Sequence, residues 1–176
     1  MAESLPAGSV VQADGMEVPL RTPWLAAFLG WLIPGAGHLY QGRTFKGYLF
    51  LVAVLGLYLL GMVIGNGRVV YASWKPEDRR WHYVCQLGVG LPSLPAAIQA
   101  WRARPGRPPL WNGWMSRPSD MQMLDRWHKE SSAGFDMGTL FTMVAGLLNY
   151  LAVFDALGGP LGPSGKREES SEGKSE

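Results

Sequence analysis

Four stretches of the chain are apolar at nearly every position, and the segments between them are polar or rich in glycine and proline. They run over residues 24–40, 45–65, 83–101 and 135–157. The second is the cleanest. From Tyr48 to Leu60 it has no polar face, and its only charge is Lys46 at the very start. A helix of about 20 residues, rising 1.5 Å per residue, spans the ~30 Å hydrocarbon core of a bilayer. A surface helix of a soluble protein shows an apolar stripe instead, and too little chain remains to cover four uniformly apolar helices from water. The pattern predicts an all-α integral membrane protein with four transmembrane helices, the first two forming a tight hairpin. Pro34 and three glycines predict a break in the first span near Pro34, and Pro92 and Pro95 predict a kink in the third. The fourth carries Asp136 and Asp155 near its ends and Asn149 inside.

The flanking segments are polar. Residues 1–22 hold Glu3, Asp14 and Glu17 against a single Arg21. That is the wrong sign for the basic start of a secretory signal, so an uncleaved, disordered tail is expected. Residues 158–176 are mostly Gly, Pro, Ser, Glu and Lys and are expected to be disordered. In the longest connection, Arg104-Pro105-Gly106-Arg107-Pro108-Pro109 is not helical. Ser119-Asp120-Met121-Gln122 reads as a capping box with Ser119 at the N-cap, opening a helix over about 119–130. Met121, Met123, Leu124 and Trp127 share one side of it, suited to the headgroup layer or to packing on the bundle. Trp24, Trp81, Tyr83, Trp101 and Trp127 sit at or just outside the expected span ends, as in an interfacial aromatic belt.

Composition narrows the function. Of 176 residues, 47% are hydrophobic and 17% charged, against about 25% charged in soluble domains. A mean hydropathy of +0.01 averages apolar spans with polar tails. The net charge of +2 implies no broad basic surface for nucleic acid. A lone cysteine, Cys85, excludes a disulfide framework and a cysteine-based zinc site. No spacing brings three or four metal ligands together, and no nucleophile motif or phosphate loop is present. Gly35-x-Gly37 runs into His-Leu-Tyr and follows no strand, so it is no cofactor fingerprint. No catalytic, cofactor or metal residues are expected, and no enzymatic activity.

The most distinctive segment is Pro34-Gly35-Ala36-Gly37-His38-Leu39-Tyr40-Gln41-Gly42-Arg43-Thr44-Phe45-Lys46-Gly47. Pro34 frees a backbone carbonyl, which His38 is expected to hydrogen-bond, and the glycines allow a turn of a few residues. Arg43 and Lys46 would then meet lipid phosphates at one surface. Over residues 24–65 the pattern resembles the TM-two-type membrane hairpin. The Asp-Arg-Phe sequence that often follows the first span in eukaryotic hairpins is absent, so no receptor-like role is implied. Nearly the whole chain is similar to an uncharacterised bacterial membrane family, the domain of unknown function 6677. That likeness rests on Gly67-Arg68-Val69-Val70-Tyr71-Ala72-Ser73-Trp74, Gln86-Leu87-Gly88-Val89-Gly90-Leu91-Pro92 and Asn149-Tyr150-Leu151-Ala152-Val153-Phe154-Asp155-Ala156. It implies a multi-pass protein of a bacterial inner membrane and no particular activity.

The expected function is a non-enzymatic packing, scaffold or recruitment module in contact with the lipid bilayer, other membrane proteins or a second copy. The alternative is a small channel or transporter subunit, with Gln86, Gln99, Asn149, Asp136 and Asp155 along a polar path. Gly61 and Gly65 have small-xxx-small spacing for helix contact. In the four-span topology the tails and the 66–82 loop share one face, and Lys and Arg divide eight against eight between the faces. Only the turn at Arg43 and Lys46, against Arg21, tips the tails outside. The same topology puts Asp136 beside Arg43 and Lys46, and Asp155 at the opposite surface.

Overall fold

The computed structural model describes residues 10–13, 16–19, 22–76, 78–103 and 107–158. Strands β1 (Val10–Ala13) and β2 (Met16–Pro19) pair antiparallel, with Val10 opposite Pro19. Helices α1 (Pro23–Leu32), α2 (Ala36–Tyr40) and α3 (Thr44–Ile64) follow. A short ladder of β3 (Trp74–Lys75) and β4 (Asp78–Arg79) leads to α4 (His82–Gln86) and α5 (Leu94–Arg102). Then come α6 (Met121–Ser131) and α7 (Ala133–Gly158). Part of the N-terminal segment expected to be disordered is thus a β-hairpin. Residues 1–9 and 159–176 lie outside the described residues.

Among the described residues two helices, α3 and α7, are long and apolar enough to cross a bilayer. The expectation of four transmembrane helices is therefore corrected to two candidate spans. Neither helix has a strong apolar stripe, because apolar residues surround both. They lie antiparallel and approach closely through glycines. A Cβ on Gly61 would stand 2.8 Å from the Gly138 carbonyl oxygen, and one on Gly138 would stand 2.9 Å from the Gly65 nitrogen. The Gly61-Gly65 spacing is thus used for helix contact.

The first and third apolar stretches form no helix long enough to cross a bilayer; each turns back on itself. The first reverses between α1 and α2. Ile33 is extended, Pro34 ends the helix, and Gly35 takes φ +81°, where a Cβ would overlap the Gly47 carbonyl. Gly37 then packs against Ala26 and Gly30, and Tyr40 Oη lies 3.0 Å from Thr22 Oγ1 at the hairpin base. Ten residues of α1 reach only about 15 Å, half a hydrocarbon core.

The third stretch begins as α4 and tightens into a 3-10 turn over Leu87–Val89. It reverses at Gly90 (φ 79°, ψ −127°), a conformation that side chains do not tolerate. Pro92 and Pro95 sit in the first turns of the helical segments that lead back. Tyr83 Oη donates to Ser93 O at 2.8 Å, tying the outgoing limb to the returning one. The expected kink is thus a full reversal.

Beyond α3 the core continues through Val69, Val70, Tyr71 and Ala72, each at most 2% exposed. This buried strap lies under α6, with the Tyr71 ring edge-on to Trp127 at 6.0 Å. The 119–130 helix is present, but its N-cap is Asp120 rather than Ser119. Asp120 Oδ1 accepts from Met123 N at 2.7 Å, and Ser119 Oγ donates to the same carboxylate. A carboxylate caps about as well as a serine hydroxyl, and its charge also answers the positive end of the helix dipole.

Candidate functional site

The two hairpins enter from opposite ends of the α3–α7 pair and meet tip to tip in its interior. A Cβ at Gly90 would overlap the Trp31 carbonyl oxygen, so the two backbones touch. Trp31 Nε1 donates to Leu87 O at 3.2 Å. On α7, Asn149 is fully buried, and its Nδ2 donates to Gly30 O at 3.0 Å and Gly88 O at 2.8 Å. Those two carbonyls lie near the C-terminal ends of α1 and the α4 limb, where helices leave acceptors without intrahelical partners. One amide group therefore caps both broken helices at once.

At the α3 N-terminal end lies an ionic cluster. Asp155 Oδ2 is 2.7 Å from His38 Nε2 and 2.9 Å from Arg43 Nη2, and Gln41 Nε2 donates to Ala156 O at 2.7 Å. The His38 ring packs against Phe50, with centroids 4.9 Å apart. This overturns two expectations: His38 bonds a carboxylate rather than a carbonyl freed by Pro34, and Asp155, not Asp136, meets Arg43. The reason is the reversal at Gly35. It returns the chain to the end where it entered, so the turn after α2 stands beside the C-terminal end of α7. Asp136 sits at the far end, exposed, with Arg80 as the cation in electrostatic reach. Gly42 terminates α2 at φ +81°, Gly47 lies under the Leu39 side chain, and Lys46 adds positive charge near Asp155.

The other polar candidates separate in space. Gln86 donates to Val69 O at 3.2 Å and Thr142 Oγ1 at 2.8 Å, fixing α4 to α7 and to the strap. Arg80, 8% exposed, donates to Val69 O at 3.3 Å and Thr139 Oγ1 at 3.4 Å. It stacks 4.3 Å from the Tyr71 ring centroid and 5.1 Å from that of Phe135. Burial pulls the Arg80 pKa down and pushes the Tyr71 hydroxyl up to about 12. Gln99 holds the loop after α5 and reaches neither hairpin tip. Sequence reasoning missed Arg80, Thr139 and Thr142, because a span-end arginine and two threonines in an apolar run carry no signal of a shared partner.

Chemically, the arrangement joins elements. Asn149, Gln86 and Arg80 each bind carbonyls or hydroxyls of a different segment. Among the described residues no three His, Cys, Asp or Glu side chains converge as a metal site. Residues 25–169 match a family of unknown function, DUF6677, and the chain belongs to that family. No curated protein and no solved structure matches the chain.

Proposed function

We propose that the chain is an integral membrane protein in which α3 and α7 cross the bilayer, while the hairpins at 23–40 and 82–102 re-enter it from opposite faces. The observation that carries this reading is exposure. Over their most apolar windows α3 and α7 are only 28% and 33% buried, and Phe45, Val63 and Phe154 are 79%, 75% and 66% exposed. A soluble protein keeps such helices inside and does not present apolar surface of this extent to water. The non-helical backbone at Pro34–Gly35 and Gly88–Gly90 is enclosed by protein, the condition under which a bilayer tolerates it.

Ten of the 16 Lys and Arg residues fall between α3 and α7: Arg68, Lys75, Arg79, Arg80, Arg102, Arg104, Arg107, Arg117, Arg126 and Lys129. The positive-inside rule then places the 65–132 face in the cytoplasm and both tails outside. In this setting, a bacterial inner membrane by the family resemblance, the chain serves as a non-enzymatic packing or recruitment module. The outer faces of α3 and α7 contact lipid, other membrane proteins or a second copy. A channel or transporter subunit is the second reading. It is favoured by broken helices whose C-terminal carbonyls meet in the interior, as in transporter ion sites. The backbone contact at Gly90 and the engagement of both Asn149 donors argue against a path through one chain.

Thr44→Cys, Lys129→Cys and Ser170→Cys, each in a Cys85→Ala background, test the topology in sealed vesicles with a membrane-impermeant thiol reagent. Thr44 and Ser170 should label from one face and Lys129 from the other. Four crossings would instead pair Thr44 with Lys129, and extraction of the chain by alkaline wash would end the membrane reading. Solute flux through liposomes containing the chain would favour the second reading.

A further inference from the structure

On the face formed by the chain between α3 and α7, a cavity of about 500 Å³ opens between the end of α5, the 107–119 loop and α6. Lys75, Arg102, Arg107 and Arg117 line it, and among its described lining residues there is no carboxylate. Arg102 Nε is buried without a hydrogen-bond partner. Four like charges around one concavity repel each other and focus a positive potential into it.

The cavity wall is firmly built. Gln99, 4% exposed, donates to Leu110 O at 2.7 Å and Trp114 O at 3.0 Å and accepts from Leu110 N at 3.1 Å. It thereby locks the loop onto α5. Within that loop Trp111, Asn112 and Met115 take φ +48°, +53° and +55°, left-handed conformations uncommon outside glycine. Such strain persists only where the surroundings enforce it, and it clusters at ligand clamps.

We propose that this cleft binds a phosphate-bearing anion through Arg102, Arg107, Arg117 and Lys75. Guanidinium forks match phosphate oxygens in pairs, and the volume falls within the range of about 300–1,000 Å³ common for small-molecule sites. The phosphate is carried either by a lipid headgroup or by a soluble compound. Trp101, Trp111 and Trp114, 80%, 53% and 47% exposed, neighbour the cleft in sequence and suit headgroup depth. The inference does not depend on the membrane reading, because the cleft exists whether or not α3 and α7 cross a bilayer.

The test uses the full chain in uncharged detergent at constant ionic strength, titrated with inorganic phosphate and with pyrophosphate and read by thermal shift. A parallel arm uses phosphatidylcholine nanodiscs with and without phosphatidylglycerol, read by lipid retention in native mass spectrometry. Saturable binding is expected in at least one arm. Arg107→Gln with Arg117→Gln should weaken it about tenfold or more. Those two side chains make no hydrogen bond or ion pair among the described residues, and their loss relieves like-charge repulsion in the cleft, so melting without ligand should not fall. Arg102→Gln, tested separately, should weaken binding in the same direction. Arg126→Gln with Lys129→Gln, exposed charges outside the cleft, should leave binding intact. A response to phosphate or pyrophosphate identifies a soluble ligand, and retention of phosphatidylglycerol alone identifies a headgroup. No saturable binding in any arm, or equal losses in both double variants, overturns the proposal.

Discussion

Replacing Asn149 with leucine tests the junction directly. The side chain is fully buried and donates to Gly30 O and Gly88 O, so leucine removes two donors and leaves two interior carbonyls unpaired. Side-chain hydrogen bonds measured inside a bilayer average ~0.6 kcal/mol and reach ~1.7 kcal/mol. Two such bonds set a range of about 1–3 kcal/mol, and the orphaned carbonyls push toward the upper half. The expected loss is about 2 kcal/mol, or about 30-fold in the unfolding equilibrium. Reversible unfolding in mixed micelles, or steric trapping in bicelles, would measure it. Gly90→Ala attacks the same contact from the other side, since its Cβ would overlap Trp31 O. Once either change has separated the hairpin tips, the other has less to lose, so the double variant should fall short of the summed losses by at least ~0.5 kcal/mol. An Asn149→Leu protein within ~0.5 kcal/mol of wild type, or strict additivity with Gly90→Ala, would show that the hairpins are not held together at this residue.

Asp155→Asn should destabilise the protein and couple non-additively with Arg43→Gln, whereas Asp136→Asn should add independently to Arg43→Gln; thermal melts of the single and double variants decide between them. Gly146→Ala would drive a Cβ into the Cys85 carbonyl and push the second hairpin off α7, so faster hydrogen exchange across 82–90 is expected. At the start of α6, the Met123 amide and then the Ser119 hydroxyl hold Asp120 below its usual value of 3.8. The folded pKa is depressed, so this contribution is complete above about 3.8 and is lost as pH falls toward the lower folded value. Acid loss of α6 protection should therefore flatten in Asp120→Asn, and an unchanged pH profile would contradict the cap assignment.

The interior glycines explain how a chain of this size holds two reversals inside its helix bundle. Gly37, Gly88 and Gly146 all stand where a Cβ would press on a neighbouring segment. Without side chains in the way, backbones approach closely enough for Asn149, Gln86 and Trp31 to reach carbonyls on other segments. Dispersion between close backbones and interior hydrogen bonds then supply cohesion between the segments.

The apolar run from Tyr48 to Leu60 and the long, proline-free stretch after Phe135 determine α3 and α7 locally, because neither contains a proline and apolar residues dominate both. Pro34 with Gly35, and Gly90 with Pro92, likewise mark where helices must stop. Hydropathy cannot tell a kink from a reversal, since both need the same residues and leave the same apolar run. The choice rests on φ +81° at Gly35 and φ 79° at Gly90, which are enforced by contacts with Gly47 and Trp31 that are distant in sequence. That choice sets everything downstream. A crossing would have placed Arg43 at the far end from Asp155, and a reversal places them 2.9 Å apart. Asn149 was visible as a polar residue in an apolar helix. Its partners were not, because Gly30 and Gly88 offer backbone carbonyls, which every residue carries and only tertiary packing brings within reach.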